Sequence, residues 1–167
     1  MIRAAIVALV AFVPMIAEAR RSRRHERILR ALGAIEPSDD VYRVMQVAYP
    51  VCFVAIAGEA LVRDVPLGRS FAAGAVVFAA AKALKYWAIA TLGNRWTFRV
   101  LVPPGQPLVS AGPYRVLRHP NYLGVAGELA GAALMAYAPI AGGASLLVFG
   151  TLMLARIRVE ERALGGL

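Results

Sequence analysis

The sequence predicts an all-α integral-membrane bundle of about five transmembrane helices, the last two a tight helical hairpin. Three observations predict it. The chain of 167 residues is 59% hydrophobic, with a mean hydropathy of +0.61. Only 17% of residues are charged, against roughly 25% in an average soluble domain. The apolar residues fall in long runs bounded by basic clusters, and those runs approach the roughly 20 residues that a spanning helix needs. This composition excludes a disordered chain and speaks against a soluble enzyme. The length allows a single domain, residues 1–167. The formal charge is +9, but the basic residues flank apolar runs instead of forming one soluble face, so no nucleic-acid partner is expected. Cys52 is the only cysteine, and His25 and His119 are the only histidines. No internal disulfide, thiolate zinc site or histidine-rich metal site is therefore expected.

The first span is residues 1–19, with Arg3 and Glu18 near its ends. A signal peptide competes here, because Ala17-Glu18-Ala19 resembles a small-x-small cleavage site. The arginine-rich block that follows, Arg20 to Arg30, argues for an uncleaved helix, since translocating it violates the positive-inside tendency. Residues 20–42 read as a polar loop, with Ser38 or Asp39 capping the next helix. Residues 44–62 form the second span, kinked at Pro50. Residues 63–69 are a short turn. Residues 70–92 form the third span, rich in Ala, which suits close packing in lipid. Residues 93–120 are a polar stretch with turn signals at Pro103-Pro104-Gly105 and Gly112-Pro113. Residues 121–155 then carry one charge, Glu128. A single helix of that length would span roughly 52 Å, far beyond the bilayer core, so a hairpin hinged at Ala138-Pro139 is expected. With the amino end outside, sixteen basic residues fall on the cytosolic side and three on the outer side, a strong positive-inside asymmetry.

Two polar groups stand out. One is Gly112-Pro113-Tyr114-Arg115-Val116-Leu117-Arg118-His119-Pro120-Asn121-Tyr122-Leu123-Gly124, followed by Glu128. The other is Arg156, Arg158, Glu160 and Glu161. A hairpin between them returns the chain to the same membrane face and brings them together. Guanidinium forks bind carboxylates, and aromatic faces attract sulfonium or ammonium groups, so the cluster suits a zwitterionic ligand. The plainer reading is equally open: interfacial arginines, local ion pairs and an aromatic belt. Glu128 is costly in lipid, by about 2.5–3.5 kcal/mol on insertion scales, and should face the bundle interior. Glu59 reads as a pair with Arg63, four residues on. His25 reads as solvated loop, and Lys82 and Lys85 as snorkelling to the interface. Tyr86, Trp87 and Trp96 fit an interfacial belt.

Arg118-His119-Pro120-Asn121-Tyr122-Leu123-Gly124, an apolar hairpin, and then Arg158-Val159-Glu160-Glu161 resemble the isoprenylcysteine carboxyl methyltransferase family, over about residues 84–164. The resemblance implies S-adenosylmethionine as methyl donor, bound in the part of the chain from about residue 93 to 167. It carries cofactor contacts onto Arg118, His119, Pro120, Tyr122, Gly124, Glu128, Arg158, Glu160 and Glu161. Segments of the amino half, among them Ala19-Arg20-Arg21-Ser22-Arg23-Arg24-His25-Glu26 and Tyr49-Pro50, look like bacterial members that methylate phenolic hydroxyls of alkylresorcinol-type lipids. Many members continue past the Glu-Glu pair with an aromatic and basic tail. Here Arg162 to Leu167 follow, so part of the enclosure is either absent or supplied by the loop 93–111.

The expected protein is an O-methyltransferase of the bacterial inner membrane, with its active site facing the cytosol. Its expected partners are membrane lipids and a lipophilic small-molecule or prenylated substrate. A phenol, with pKa about 10, needs help in losing its proton, and His119 and Glu128 are the two candidate bases. The alternatives are an isoprenylcysteine carboxyl methyltransferase, an NADPH-dependent membrane reductase, and a non-enzymatic scaffold or anionic-lipid binder using the arginines of 20–30.

Overall fold

The architecture comes from a computed structural model that describes residues 1–165. Five helices follow one another: α1 (Ile2–Ala31), α2 (Tyr42–Arg63), α3 (Arg69–Leu92), α4 (Pro120–Ala136) and α5 (Pro139–Gly165). Short 3-10 turns lie at Gly93–Arg95 and Gly112–Arg115, and the described residues form no strand beyond an isolated bridge between Ile35 and Val102. α1, α2, α3 and α5 are each long and apolar enough to cross a membrane. α4, with 17 residues, lies at the lower limit for a span. Together they form an integral-membrane helical bundle.

α1 departs from expectation, for the block 20–31 is helix and not loop. It contains no Pro or Gly and is made of good helix formers. Its Ser22, His25 and Leu29 continue the buried face begun by Glu18, at the spacing of one helical stripe. Gly33 (φ +79°) stops the helix. The Gly33 amide bonds the Arg30 carbonyl and the Ala34 amide bonds the Leu29 carbonyl, the Schellman pattern. Two further readings are corrected here. Neither Ser38 nor Asp39 caps α2; the Asp40 carboxylate accepts from the Tyr42 amide at 3.0 Å instead. His25 is buried on α1, with Nδ1 2.8 Å from the Trp96 carbonyl oxygen.

α3 and α4 form the tightest pair. A Cβ at Gly131 would come within 2.6 Å of the Phe78 amide nitrogen, and one at Gly74 within 2.4 Å of the Met135 amide nitrogen. Close backbone approach through small residues is the usual means of packing helices in lipid. The α4–α5 turn falls at Tyr137–Ala138, with Tyr137 left-handed (φ 55°) and Pro139 opening α5. Two side chains hold that end of the bundle, Arg3 buried and Glu59 half-buried. Arg3 donates to the Met135 carbonyl at 3.0 Å and to the Ser70 hydroxyl at 3.1 Å. Glu59 pairs with Arg63 at 2.6 Å, as expected, and also accepts from the Ala141 amide at 2.6 Å, satisfying an orphan donor at the start of α5.

At the opposite, arginine-rich end, the segment 93–111 folds back over the α1 extension. The Phe98 amide donates to Ser22 Oγ at 2.8 Å, and the Val100 amide donates to Asp40 at 2.9 Å. Ile35 and Val102 exchange backbone hydrogen bonds, and Arg99 donates to Glu36 at 2.5 Å. Trp96 is buried beneath this loop instead of lying in an interfacial belt, because its ring fills the space against His25 and Phe98. Tyr86 and Trp87 stay exposed on α3, as a belt requires.

Candidate functional site

α4 begins and α5 ends at the arginine-rich face, so the hairpin brings their polar residues together. Tyr122, on the first turn of α4, donates its hydroxyl to Glu160 on α5 at 2.8 Å. The same oxygen accepts from Arg156 Nε at 2.9 Å. Arg156 is buried and also donates to Asp40 at 2.8 Å, tying the α1–α2 connection to the hairpin. His119 sits at the amino cap of α4, its Nε2 3.1 Å from Glu161 and its ring 5.6 Å from that of Tyr122. Tyr114 lies on the preceding turn. Burial, and then the negative charge of Glu160, push its phenol well above the ordinary tyrosine value. Arg115, Arg118 and Arg158 are exposed, and none makes a side-chain hydrogen bond among the described residues. An open cavity of about 460 Å³ lies alongside, bounded by Ile35, Pro37, Val102 and Pro104 on one side and Val159, Arg162 and Ala163 on the other. The loop 93–111 thus supplies part of the wall.

A second polar cluster lies inside the bundle. Glu128 is buried on α4, as expected. Lys85 donates to Glu18 at 2.6 Å and lies 3.2 Å from Glu128. Lys82 donates to Glu18 at 2.9 Å and also lies 3.2 Å from Glu128. Tyr49 of α2 donates its hydroxyl to Glu128. The snorkelling reading of the two lysines is therefore corrected. Lys85 is 2% exposed and Lys82 points inward, because two acidic side chains inside the bundle offer pairing that lipid does not.

Most of the residues singled out in the sequence fall in these two clusters. His119, Tyr122, Glu160 and Glu161 meet at the mouth, with Arg118 and Arg158 on its rim. Pro120 is buried as the first residue of α4, where its missing N–H is no loss. Gly124 faces α3, and a Cβ there would lie 2.9 Å from that of Lys85. Glu128 belongs to the inner cluster, six residues or about 9 Å of helix beyond Tyr122. Tyr49, Glu18 and Asp40 are absent from the sequence-derived set. Glu18 had a signal, an acidic residue within an apolar run. Tyr49 and Asp40 had no signal for this role beyond the amino-half resemblance, since only the tertiary packing places them. No group of acidic, histidine and cysteine side chains suited to a metal ion occurs among the described residues.

With this geometry in hand, comparison with known proteins decides the family. The profile of the isoprenylcysteine carboxyl methyltransferase (ICMT) family matches residues 73–165, which span α3, α4 and α5. The chain belongs to the ICMT family. It is similar to the uncharacterized protein YpbQ of Bacillus subtilis, 29% identical over 148 residues, covering 89% of this chain and 88% of YpbQ. It is also similar to an uncharacterized protein of Haemophilus influenzae, 26% identical over 144 residues, covering 86% of this chain and 84% of that protein. No solved structure matches. ICMT membership makes the protein a membrane methyltransferase, and methyltransferases of this family take their methyl group from S-adenosylmethionine. The donor set at the mouth fits that group: carboxylates at Glu160 and Glu161 for an ammonium, free guanidiniums at Arg118 and Arg158 for a carboxylate, and ring faces at His119 and Tyr122 for a sulfonium.

Proposed function

We propose that this protein is an S-adenosylmethionine-dependent O-methyltransferase of the bacterial inner membrane, acting on an oxygen of a lipophilic substrate, with a phenolic hydroxyl of an alkylresorcinol-type lipid as the favoured acceptor. The observation that carries this reading is the meeting of Tyr122 with Glu160 and of His119 with Glu161 across the hairpin. Bound there, the cofactor supplies an electrophilic methyl group. The part of the chain from about residue 93 to 167 holds it. Arg118 and Arg158 would take its carboxylate, Glu160 and Glu161 its ammonium, and His119 and Tyr122 its sulfonium. Pro120 fixes the loop-to-helix entry that aims these groups. Gly124 lets α4 close on α3, and Glu128 lies on the inner side. The arginine-rich face is cytosolic, by the positive-inside asymmetry, so cofactor enters from the cytosol and the lipid acceptor from the bilayer.

The chain's own work in the reaction is alignment and exclusion of water. Arg156 holds Tyr122 and Asp40 together and so braces the mouth. His119 and Glu128 are the two candidate bases for the acceptor's proton. Calorimetry of S-adenosylmethionine binding to the detergent-purified protein tests the reading. We expect wild-type binding that Glu160→Ala weakens by about tenfold or more, equivalent to about 1.4 kcal/mol. No binding to a folded, monodisperse wild type would overturn it.

A further inference from the structure

α1 keeps one outward face along its length. Leu9, Val13 and Ile16 are exposed on the spanning part, and Arg20, Arg23, Arg24 and Arg27 are exposed on the extension. They follow one another at steps of three and four, with Arg23 and Arg24 side by side, and so form a single stripe. The opposite stripe, Ala11, Glu18, Ser22, His25 and Leu29, is buried. α1 has 30 residues. The hydrocarbon core takes about 20 of them, so about ten project into and past the headgroup layer. Cα–Cβ bonds tilt toward a helix's amino end, here back toward the membrane. The extension is anchored from behind, without its arginines: Ser22 Oγ accepts from the Phe98 amide, and His25 meets the Trp96 carbonyl. Little acid answers the exposed charge. Glu26, the one acidic residue of the extension, accepts from Ser22 at 2.7 Å and pairs with Arg99 at 3.4 Å. The side chains of Arg20, Arg23 and Arg24 make no hydrogen bond or ion pair among the described residues, and Arg27 reaches only the Arg23 carbonyl, at 3.4 Å.

We propose that this stripe is a docking face for an anionic phospholipid of the surrounding leaflet. Its acyl chains lie along Leu9, Val13 and Ile16, and its phosphate meets the guanidiniums of Arg20, Arg23, Arg24 and Arg27. Apolar and cationic groups stand on one face in the order in which a lipid presents chain and headgroup. A guanidinium fork pairs with a phosphate in bidentate fashion, and arginines just outside a span are drawn to anionic lipid. A zwitterionic lipid brings a cation of its own, which a set of unpaired guanidiniums repels. The positive-inside tendency accounts for basic residues at this end of the bundle. It leaves them free to pair with acidic neighbours, as Arg30 and Arg99 do with Glu36, whereas the stripe stays unpaired. The back of the same helix carries the segment 96–98 of the mouth wall, so the docked lipid bears on the element that holds that wall. The proposal adds to the methyltransferase reading and does not rest on it.

Native mass spectrometry of the full chain in a non-ionic detergent tests this, with dioleoyl phosphatidylglycerol and dioleoyl phosphatidylcholine added at equal concentration. We expect phosphatidylglycerol adducts to exceed phosphatidylcholine adducts by at least about fivefold, equivalent to about 1 kcal/mol. Arg20→Gln/Arg27→Gln, at the centre of the stripe, should bring the two lipids to equal occupancy. Arg21→Gln/Arg115→Gln removes the same charge from exposed arginines off the stripe and should keep the wild-type preference. Glycerophosphoglycerol, the headgroup without chains, should not displace the lipid at equal concentration. Equal occupancy by both lipids in the wild type, or equal loss in the two double variants, would overturn the proposal. Displacement by the bare headgroup would overturn the lipid as occupant. If the stripe variant does not purify, the wild-type and headgroup comparisons decide. Cofactor binding does not enter any of these readouts, so failure of the methyltransferase reading leaves the result standing.

Discussion

Arg3 shows how much one side chain does in this bundle. It lies on the first turn of α1, is 2% exposed, and satisfies the Met135 carbonyl at the end of α4 together with Ser70. A buried carbonyl left bare is costly. Arg3→Ala is expected to destabilise the protein by on the order of 2 kcal/mol, read as a lower Tm, whereas Arg20→Ala, on an exposed stretch of the same helix, should leave Tm unchanged. His119 and Glu128 differ in the same way. His119 is partly exposed at the mouth beside Glu161, and Glu128 is enclosed by two lysines and a tyrosine. His119→Ala and Glu128→Gln should each lower turnover of a phenolic lipid at neutral pH. Full turnover in both would exclude them as bases. The Arg-His-Pro-x-Tyr run and the Glu-Glu pair were legible in the sequence through their resemblance to the ICMT family. Asp40 and Tyr49 were not, because an aspartate before a helix and a tyrosine in an apolar run have ordinary explanations.

At the scale of the elements, the α3–α4 pair depends on glycines that no side chain can replace without moving a backbone. Gly131→Ala would press a methyl against the Phe78 amide and should cost about 1–3 kcal/mol by overpacking. Gly143 on α5 has nothing within 4 Å of the added carbon. Gly143→Ala should be neutral or stabilise by about 0.5–1 kcal/mol, the ordinary helix preference for alanine. Thermal unfolding in detergent distinguishes the two, and equal effects would mean that the close approach of α3 and α4 does not limit stability. The four long apolar helices and the hairpin were legible as elements. The extension of α1 to Ala31 was not. A run rich in arginine reads as loop until a partner for its buried face is known, and here that partner is the segment 96–102, distant in sequence.

The whole molecule closes its arginine-rich face with ion pairs between those distant segments. Glu36 holds both Arg30 and Arg99. Burial raises its carboxyl pKa, but the hydrogen bonds and charges of Arg99 and Arg30 outweigh burial and leave it below the ordinary value. A carboxyl lowered in the folded state stabilises that state at pH above its unfolded pKa, about 4.3, and the contribution is lost as pH falls through the lower folded value. The tether of the loop 93–111 should therefore be intact at neutral pH and loosen below about pH 4. Amide-exchange protection at Val102, corrected for intrinsic rates, should fall in that window. Glu36→Gln should lower protection at neutral pH and flatten the pH dependence. Protection that is insensitive to the substitution would place the tether elsewhere, in the Val100–Asp40 bond for instance.

The sequence by itself determined the solvent, the number of helices and the residues at the mouth. Lipid demands long apolar runs, basic flanks set their ends, and the Arg-His-Pro-x-Tyr and Glu-Glu motifs are marked by their resemblance to one family. Only the tertiary structure decided that Lys82, Lys85 and Glu18 turn inward, and that Tyr49 and Asp40 join the polar clusters. Periodicity states which face of a helix is buried, but not which partner faces it. A charged side chain in lipid settles wherever a counter-charge is within reach, and that reach is fixed by how the helices pack.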